Sequence, residues 1–283
     1  MKQIHYKKRL KWIITVMTIL IFLCAALNQN LKTQHYSIYS EKIENAVTIV
    51  MISDLHSQTF GKNQKDLLTS IIKQNPDLIL LVGDIFDYEY SPIATEIFLQ
   101  GIQHICPIYF VTGNHEYASK DVKTIKEMLL AYNIKILSYA YDLIEINGNK
   151  LLLGGIDDPV KARYDTEEYL SPNTMKQAFS DLQTESYNIL LAHRPESISN
   201  YKQYDFDLVL SGHAHGGQVR IPFIVNGLYA PNQGWFPPYA GGLYNNEAIF
   251  HIVSRGLGNN VSIPRIFNPP EIVVINLAHG NPD

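Results

Sequence analysis

Five short clusters in this chain carry side chains able to bind metal ions or move protons. They are Asp54-Leu55-His56, Gly83-Asp84, Gly113-Asn114-His115-Glu116, His193 and Gly212-His213-Ala214-His215. Carboxylate and amide oxygens suit Mn²⁺ and Mg²⁺, while imidazole suits Zn²⁺, Fe and Mn²⁺, so the set points to metal-assisted chemistry. Taken singly, each member has an ordinary explanation. An Asp after a strand often caps a helix, an Asn after Gly often makes a turn, and a lone His is often a hydrogen-bonded core residue. His213 and His215 are less ordinary, because residues i and i+2 of an extended segment share a face. Neither cysteine, Cys24 or Cys106, joins a cluster, which excludes a thiolate zinc site and a disulfide scaffold.

The clusters follow apolar runs. Ala46 to Ile52, Asp77 to Val82 and Pro107 to Thr112 read as buried strands, separated by helical spacing over Asp66–Lys73 and Ile93–Ile105. A further helix is expected over Val122–Tyr132. This strand–helix alternation predicts α/β architecture with parallel pairing. Beyond it, Leu143 to Leu153 with Asn147-Gly148 at its centre predicts a hairpin. Pro172–Leu182 reads as a helix, Tyr187–Ala192 and Phe206–Ser211 as strands, and Ala248–Ser254 and Glu271–Leu277 as antiparallel closing strands. Residues 222–246, rich in Gly, Pro and Asn, read as a long surface loop. Ligands in open α/β sheets bind at the carboxyl ends of the strands, where all five clusters fall.

In that order and placement, the series D-x-H, G-D, G-N-H-E, H, G-H-x-H resembles the calcineurin-like metallophosphoesterase superfamily. Gly154 to Pro159, Gly216-Gly217-Gln218, Ser254 to Gly258 and Phe267 to Glu271 are similar to its membrane-linked YkuE-like branch. The resemblance covers about residues 46–277. It implies an αββα sandwich of two mixed sheets flanked by helices. It implies one metal held by Asp54, His56 and His215, a second by Asn114, His193 and His213, and Asp84 bridging the two. The expected ions are Mn²⁺ or Fe/Zn, and the expected reaction is phosphodiester or pyrophosphate hydrolysis by metal-bound hydroxide. His115 is implied to protonate the leaving oxygen, with Glu116 orienting its ring; the alternative has His115 behind the ligands and Glu116 as a favourable helix N-terminal acid.

Other residues are less decided. Arg255 is a possible phosphate contact or a structural ion pair. Asp157 and Asp158 before Pro159 read as a turn or as partners of the ligands. Arg194, directly after His193, has no expected role. Tyr229, Trp235, Phe236 and Tyr239 form either an interfacial lip or ordinary loop packing. A metal-binding scaffold without turnover is the rival function, disfavoured by the His115-Glu116 pair. A dinuclear amidohydrolase is disfavoured because its early His-x-His is here a late one.

The first eleven residues carry five basic and no acidic side chains, leaving 18 basic against 27 acidic, a net of −9, in the rest. An acidic body is a poor match for nucleic acid, so no such partner is expected. Trp12 to Leu27 is uncharged. A basic stretch before an apolar run marks a signal peptide or an anchor. Sixteen residues fall slightly short of the roughly 17–25 of a full span, a gap that flanking residues and local thinning can close. An uncleaved anchor is expected; a signal cleaved after Ala26, giving a secreted protein, and a buried core helix are the alternatives. The expected organisation is a basic cytoplasmic flank (1–11), a single-pass signal anchor (12–28), a linker (29–45) and an extracytoplasmic catalytic domain (46–283) acting on a phosphorylated small-molecule, lipid or envelope substrate.

Overall fold

The computed structural model describes residues 2–164, 174–182, 185–246, 249–259 and 261–281. Helix α1 (Lys2–Ala26) precedes β1 (Lys32–Ser40), β2 (Val47–Ile52), α2 (Lys65–Ile72), β3 (Leu78–Val82), α3 (Ile93–Ile102) and β4 (Ile108–Val111). Then come α4 (Asn114–Ala118), α5 (Val122–Ala131), β5 (Lys135–Ile136), β6 (Ala140–Ile146), β7 (Asn149–Gly155), α6 (Lys161–Tyr164), α7 (Thr174–Phe179), β8 (Tyr187–Leu191), α8 (Ile198–Tyr201) and β9 (Leu208–Ser211). The chain closes with β10 (Tyr229–Ala230), β11 (Gly234–Trp235), β12 (Gly242–Asn246), β13 (Ile249–Val253) and β14 (Glu271–His279). Of the expected helix over 172–182, residues 172 and 173 lie outside the described residues, as does Ala248 at the start of the expected strand 248–254.

Two six-stranded mixed sheets form, in orders β1-β14-β2-β3-β4-β5 and β12-β13-β9-β8-β7-β6. The period-2 alternation of side chains explains how they stack. Val47, Ile49 and Met51 of β2 enter a core shared with Ile189 and Leu191 of β8. Val50 and Ile52 point the other way, onto Leu67 and Ile71 of α2 and Phe98 of α3. On the far side, Leu190 and Val209 pack with Phe179 of α7 and Tyr201 of α8. Strands buried on both faces must be apolar throughout, which is why these runs are continuous in the sequence. The result is the αββα sandwich.

Two segments depart from expectation. The linker assigned to 29–45 contains β1, which pairs in parallel with β14 from Lys32↔Glu271 to Ser40↔His279. It is an edge strand with a mostly polar, exposed sequence, so it lacks the apolar signature of an internal strand. The stretch 222–246 is not one loop: β10 and β11 pair through Tyr229↔Trp235, and β12 pairs antiparallel with β13. The closing strands are each mixed. β14 is antiparallel to β2 but parallel to β1, and β13 is parallel to β9.

Helix α1 stands off the sandwich. Trp12, Ile13, Ile14 and Phe22 are all exposed. Among the described residues it is the one helix long and apolar enough, over His5–Ala26, to cross a membrane. Its last turn is nevertheless tied down. The Phe267 N–H donates to the Ala26 carbonyl at 2.7 Å, and the Phe22 and Phe267 rings meet edge to face at 5.2 Å.

Candidate metal centre

The carboxyl ends of β2, β3, β4, β8 and β9 converge where the two sheets meet. Backbone contacts at this seam are close: Asp54 N–H donates to the Gly83 carbonyl at 3.0 Å, and His213 N–H to Asp54 Oδ1 at 2.9 Å. Gly83 is required here. Its φ is +75°, and a Cβ on it would lie 2.5 Å from His193 Nδ1. Asp54, His56, Asp84, His213 and His215 all hold φ between 47° and 63°. Asp and His tolerate this left-handed region better than most residues, yet each such position costs of the order of 1–3 kcal/mol. Strain of this kind persists where surrounding structure enforces it, as at functional sites.

Two groups of ligating atoms result, Asp54–His56–His215 and Asp84–His193–His213, each within 4.8 Å of one another, and a third, His56–Asp84–His115, overlaps both. Asp84 lies between them, with Oδ2 3.1 Å from His193 Nε2 and 3.9 Å from His56 Nε2. His56 Nε2 faces His215 Nε2 at 3.2 Å. Ring orientation is set from behind. His193 Nδ1 donates to the Val82 carbonyl at 2.9 Å and His56 Nδ1 to Asp87 Oδ2 at 2.8 Å, which turns Nε2 of each inward. Asp54 Oδ2 and Asn114 Oδ1 are buried without a hydrogen-bond partner. Orphaned buried polar atoms are costly and rare, and together with three oxygen and four imidazole ligands they fit divalent cations such as Mn²⁺, Fe²⁺ or Zn²⁺.

The electrostatics make the same demand for positive charge. Burial works to raise the Asp84 carboxyl, but His193, His56 and His115 outweigh it and hold Asp84 well below the usual range. Burial works to lower His193, yet Asp84 pushes it up to about 10. Burial raises Asp54, with the charge of Asp84 adding to the effect. His213 falls to about 3 through burial and the cationic His193 and Arg194 beside it.

A cleft of about 1160 Å³ opens over both groups, lined by Asp84, Asn114, His115, Arg194, His213 and His215 among others. His115 Nδ1 lies 2.9 Å from Asp87 Oδ2, and its ring stacks on Tyr88. Glu116 takes the alternative role, an acid in the first turn of α4. Its two oxygens accept the backbone N–H groups of Asp84, Ile85, Phe86 and Gly113 at 2.7–3.0 Å, so it braces the β3 and β4 ends. Burial and Asp84 push its carboxyl up to about 7.

A model of the calcineurin-like phosphoesterase family matches residues 47–217. The chain belongs to that family. This phosphoesterase hydrolyses phosphoric esters, and its family depends on metal. Three relatives extend the match. The uncharacterized metallophosphoesterase Cj0846 of Campylobacter jejuni is 33% identical over 95% of this chain and 70% of its own length. The uncharacterized metallophosphoesterase YkuE of Bacillus subtilis is 28% identical over 82% of this chain and 79% of its own. A Bos taurus "transmembrane protein with metallophosphoesterase domain" is 31% identical over 75% of this chain and 48% of its own; with α1, it points to a membrane protein. In fold, the phosphoesterase is similar to a 5'-nucleotidase precursor from Thermus thermophilus, with TM-score 0.52, 14% identity and 82% of this chain covered. The chain spans about half of that structure, 54%.

Of the two readings of Arg255, phosphate contact or structural ion pair, the phosphoesterase has the ion pair. Arg255 is turned to Glu271, donating from its backbone N–H at 3.0 Å and from Nη1 at 2.9 Å, and it does not line the cleft. The cleft is lined instead by Arg163 and Arg194, of which Arg194 reaches the ligating groups. Asp158 grips it at 2.6 and 3.0 Å, while its Nη1 reaches Asn232 Oδ1 at 2.6 Å and lies 3.1 Å from His213 Nε2. Its one sequence signal was adjacency to His193. Asp157 joins Thr112, Ser138 and Lys161 behind the site. Asp87 was missed, as was the buried Arg265, whose Nη2 lies 3.3 Å from His215 Nδ1. Of the four loop aromatics, Tyr229 and Trp235 line the cleft, Phe236 is exposed, and Tyr239 packs inward on Tyr244 and His251.

Proposed function

We propose that this protein is a two-metal phosphohydrolase that cleaves phosphodiester or pyrophosphate bonds at the outer face of the cytoplasmic membrane. The observation that carries the reading is the position of Asp84 between Asp54, His56 and His215 on one side and His193 and His213 on the other. Asn114, which lines the same cleft and has a buried Oδ1 without a hydrogen-bond partner, joins His193 and His213 in the second ligand set of this reading. Two divalent ions in these sets would lower the pKa of water and neutralise charge on the phosphoryl group. The chain's own residues do the rest. His115, with Nδ1 toward Asp87, keeps its other nitrogen for the proton that the leaving oxygen needs. Burial works to lower its pKa, but Asp87 and Asp84 raise it, so the protonated form extends to higher pH. Arg194, held flat by Asp158, offers its guanidinium edge to a phosphoryl oxygen. The basic first eleven residues support an N-terminus on the cytoplasmic side.

The test uses the full chain in detergent, stripped of metal, with bis-p-nitrophenyl phosphate as substrate. Turnover is expected on adding Mn²⁺, with two equivalents bound, and Asp84→Ala is expected to abolish it. Full activity with one equivalent, or an Asp84→Ala variant as active as the parent, overturns the two-metal reading.

A further inference from the structure

Helix α1 and the catalytic cleft share a surface. The uncharged run Trp12–Leu27 is about 24 Å long at about 1.5 Å per residue, less than the roughly 30 Å of a hydrocarbon core. The full candidate span His5–Ala26, about 33 Å, barely exceeds that core, so a membrane crossed by this helix must include Phe22, which lies about 7.5 Å inside the end of the uncharged run. Phe22 touches Phe267 of the catalytic domain, 5.2 Å between ring centroids. A bilayer that covers Phe22 thus reaches the domain itself.

Two exposed apolar loops start from this contact. Ile266, next to Phe267, bridges to Val219, and the Arg220 N–H donates to the Ile266 carbonyl at 2.9 Å. The loop beyond carries Phe223, fully exposed, and Ile224 at 80% exposure. On the other side, Val261 and Ile263 are exposed at 49% and 59% and also line the cleft. Gln218 ties the two loops together by donating to the Ile263 carbonyl. Charge agrees with the apolar pattern. No Asp or Glu occurs between Asp207 and Glu247, or between Glu247 and Glu271, although the chain outside its first eleven residues is strongly acidic. Exposed apolar patches without acids, edged by Tyr and Trp, suit the interface of a bilayer.

We propose that the apolar rim built by residues 219–225 and 261–267 seats in the leaflet at the C-terminal end of α1, so that the cleft opens at the level of the lipid headgroups. The proposal rests on the reading of α1 as membrane-spanning. It places the catalytic centre against the bilayer surface and not at the end of a free tether.

The test places a single tryptophan at the rim tip of the full chain: Phe223→Trp, with Trp12→Phe and Trp235→Phe. The protein is reconstituted in phosphatidylcholine vesicles with or without 6,7-dibrominated acyl chains. A side chain held about 5–10 Å into the headgroup–acyl boundary is expected to lose about half its emission to the brominated lipid. The same chain with Lys150→Trp in place of Phe223→Trp, at the end of β7 away from the site, is expected to be unaffected. Equal emission in both vesicles overturns the proposal: red-shifted, it shows a rim in water; blue-shifted, a rim buried against a second copy. Fluorescence needs no turnover, so a quenched rim together with a parent chain that shows no metal-dependent turnover would sink the two-metal reading and leave the seating intact.

Discussion

Asp87 is the residue whose position most changes the reading of the centre. A single carboxylate touches Nδ1 of both His56 and His115, at 2.8 and 2.9 Å. It fixes one proposed ligand and one proposed proton donor together. Partners of this kind cost about 10–100-fold in metal affinity or activity when removed. Asp87→Asn is expected to lower kcat by that factor and to weaken metal binding, with little change in KM; an unchanged kcat in metal-saturated protein would exclude the role. Arg194 and Arg255 divide differently. Arg194→Lys keeps charge but loses the planar two-point grip on Asp158 and the phosphoryl oxygen. KM is expected to rise about tenfold, the equivalent of about 1.4 kcal/mol, with stability nearly intact. Arg255→Ala strands the buried Glu271 and is expected to cost about 3–5 kcal/mol of stability with KM unchanged. A KM effect at Arg255 and none at Arg194 would reverse the assignment.

Among the elements, the joints that matter lie behind the cleft. Asp157 gathers the end of β4 through Thr112 (2.9 Å), the approach to β6 through Ser138, and α6 through Lys161 (3.0 Å). Burial works to raise its carboxyl, but Lys126, Ser138 and Lys161 hold it below the ordinary range. A group depressed in the folded state stabilises fully above its unfolded pKa of about 3.9, and that stability fades as pH falls through the folded value. The parent is therefore expected to lose Tm below about pH 4 more steeply than Asp157→Asn, which starts lower at pH 7. Parallel Tm–pH curves for the two proteins would show that Asp157 carries no such linkage.

At the scale of the molecule, the centre is a concentration of strain and unpaired polarity. Asp54, His56, Asp84, His213 and His215 sit at positive φ, and two of the proposed ligand atoms, Asp54 Oδ2 and Asn114 Oδ1, lack partners. A cation binding the folded state alone stabilises it by about 2.7 kcal/mol at a hundredfold excess over Kd. Chelation is expected to lower Tm, and Mn²⁺ to restore it. A Tm indifferent to both would contradict metal binding at this centre.

The seven proposed ligands and His115 were legible because each is a local event, a polar residue one to five positions beyond a run of apolar side chains buried on both faces. The same runs, with helices between them, were enough for the αββα class. Tertiary structure decided what depends on encounters distant in sequence. Strand β1 was hidden because an edge strand needs few apolar residues, and only its register with β14 makes it part of the sheet. Asp87 meets His56 across 31 positions, and Arg194 meets Asp158 across 36. That Arg194 and not Arg255 faces the cleft, which carboxylate orients His115, and which loops lie beside α1 are set by how the two sheets stack. A side chain's partner is chosen by the surfaces that packing brings together, and no local pattern of residue types encodes that choice.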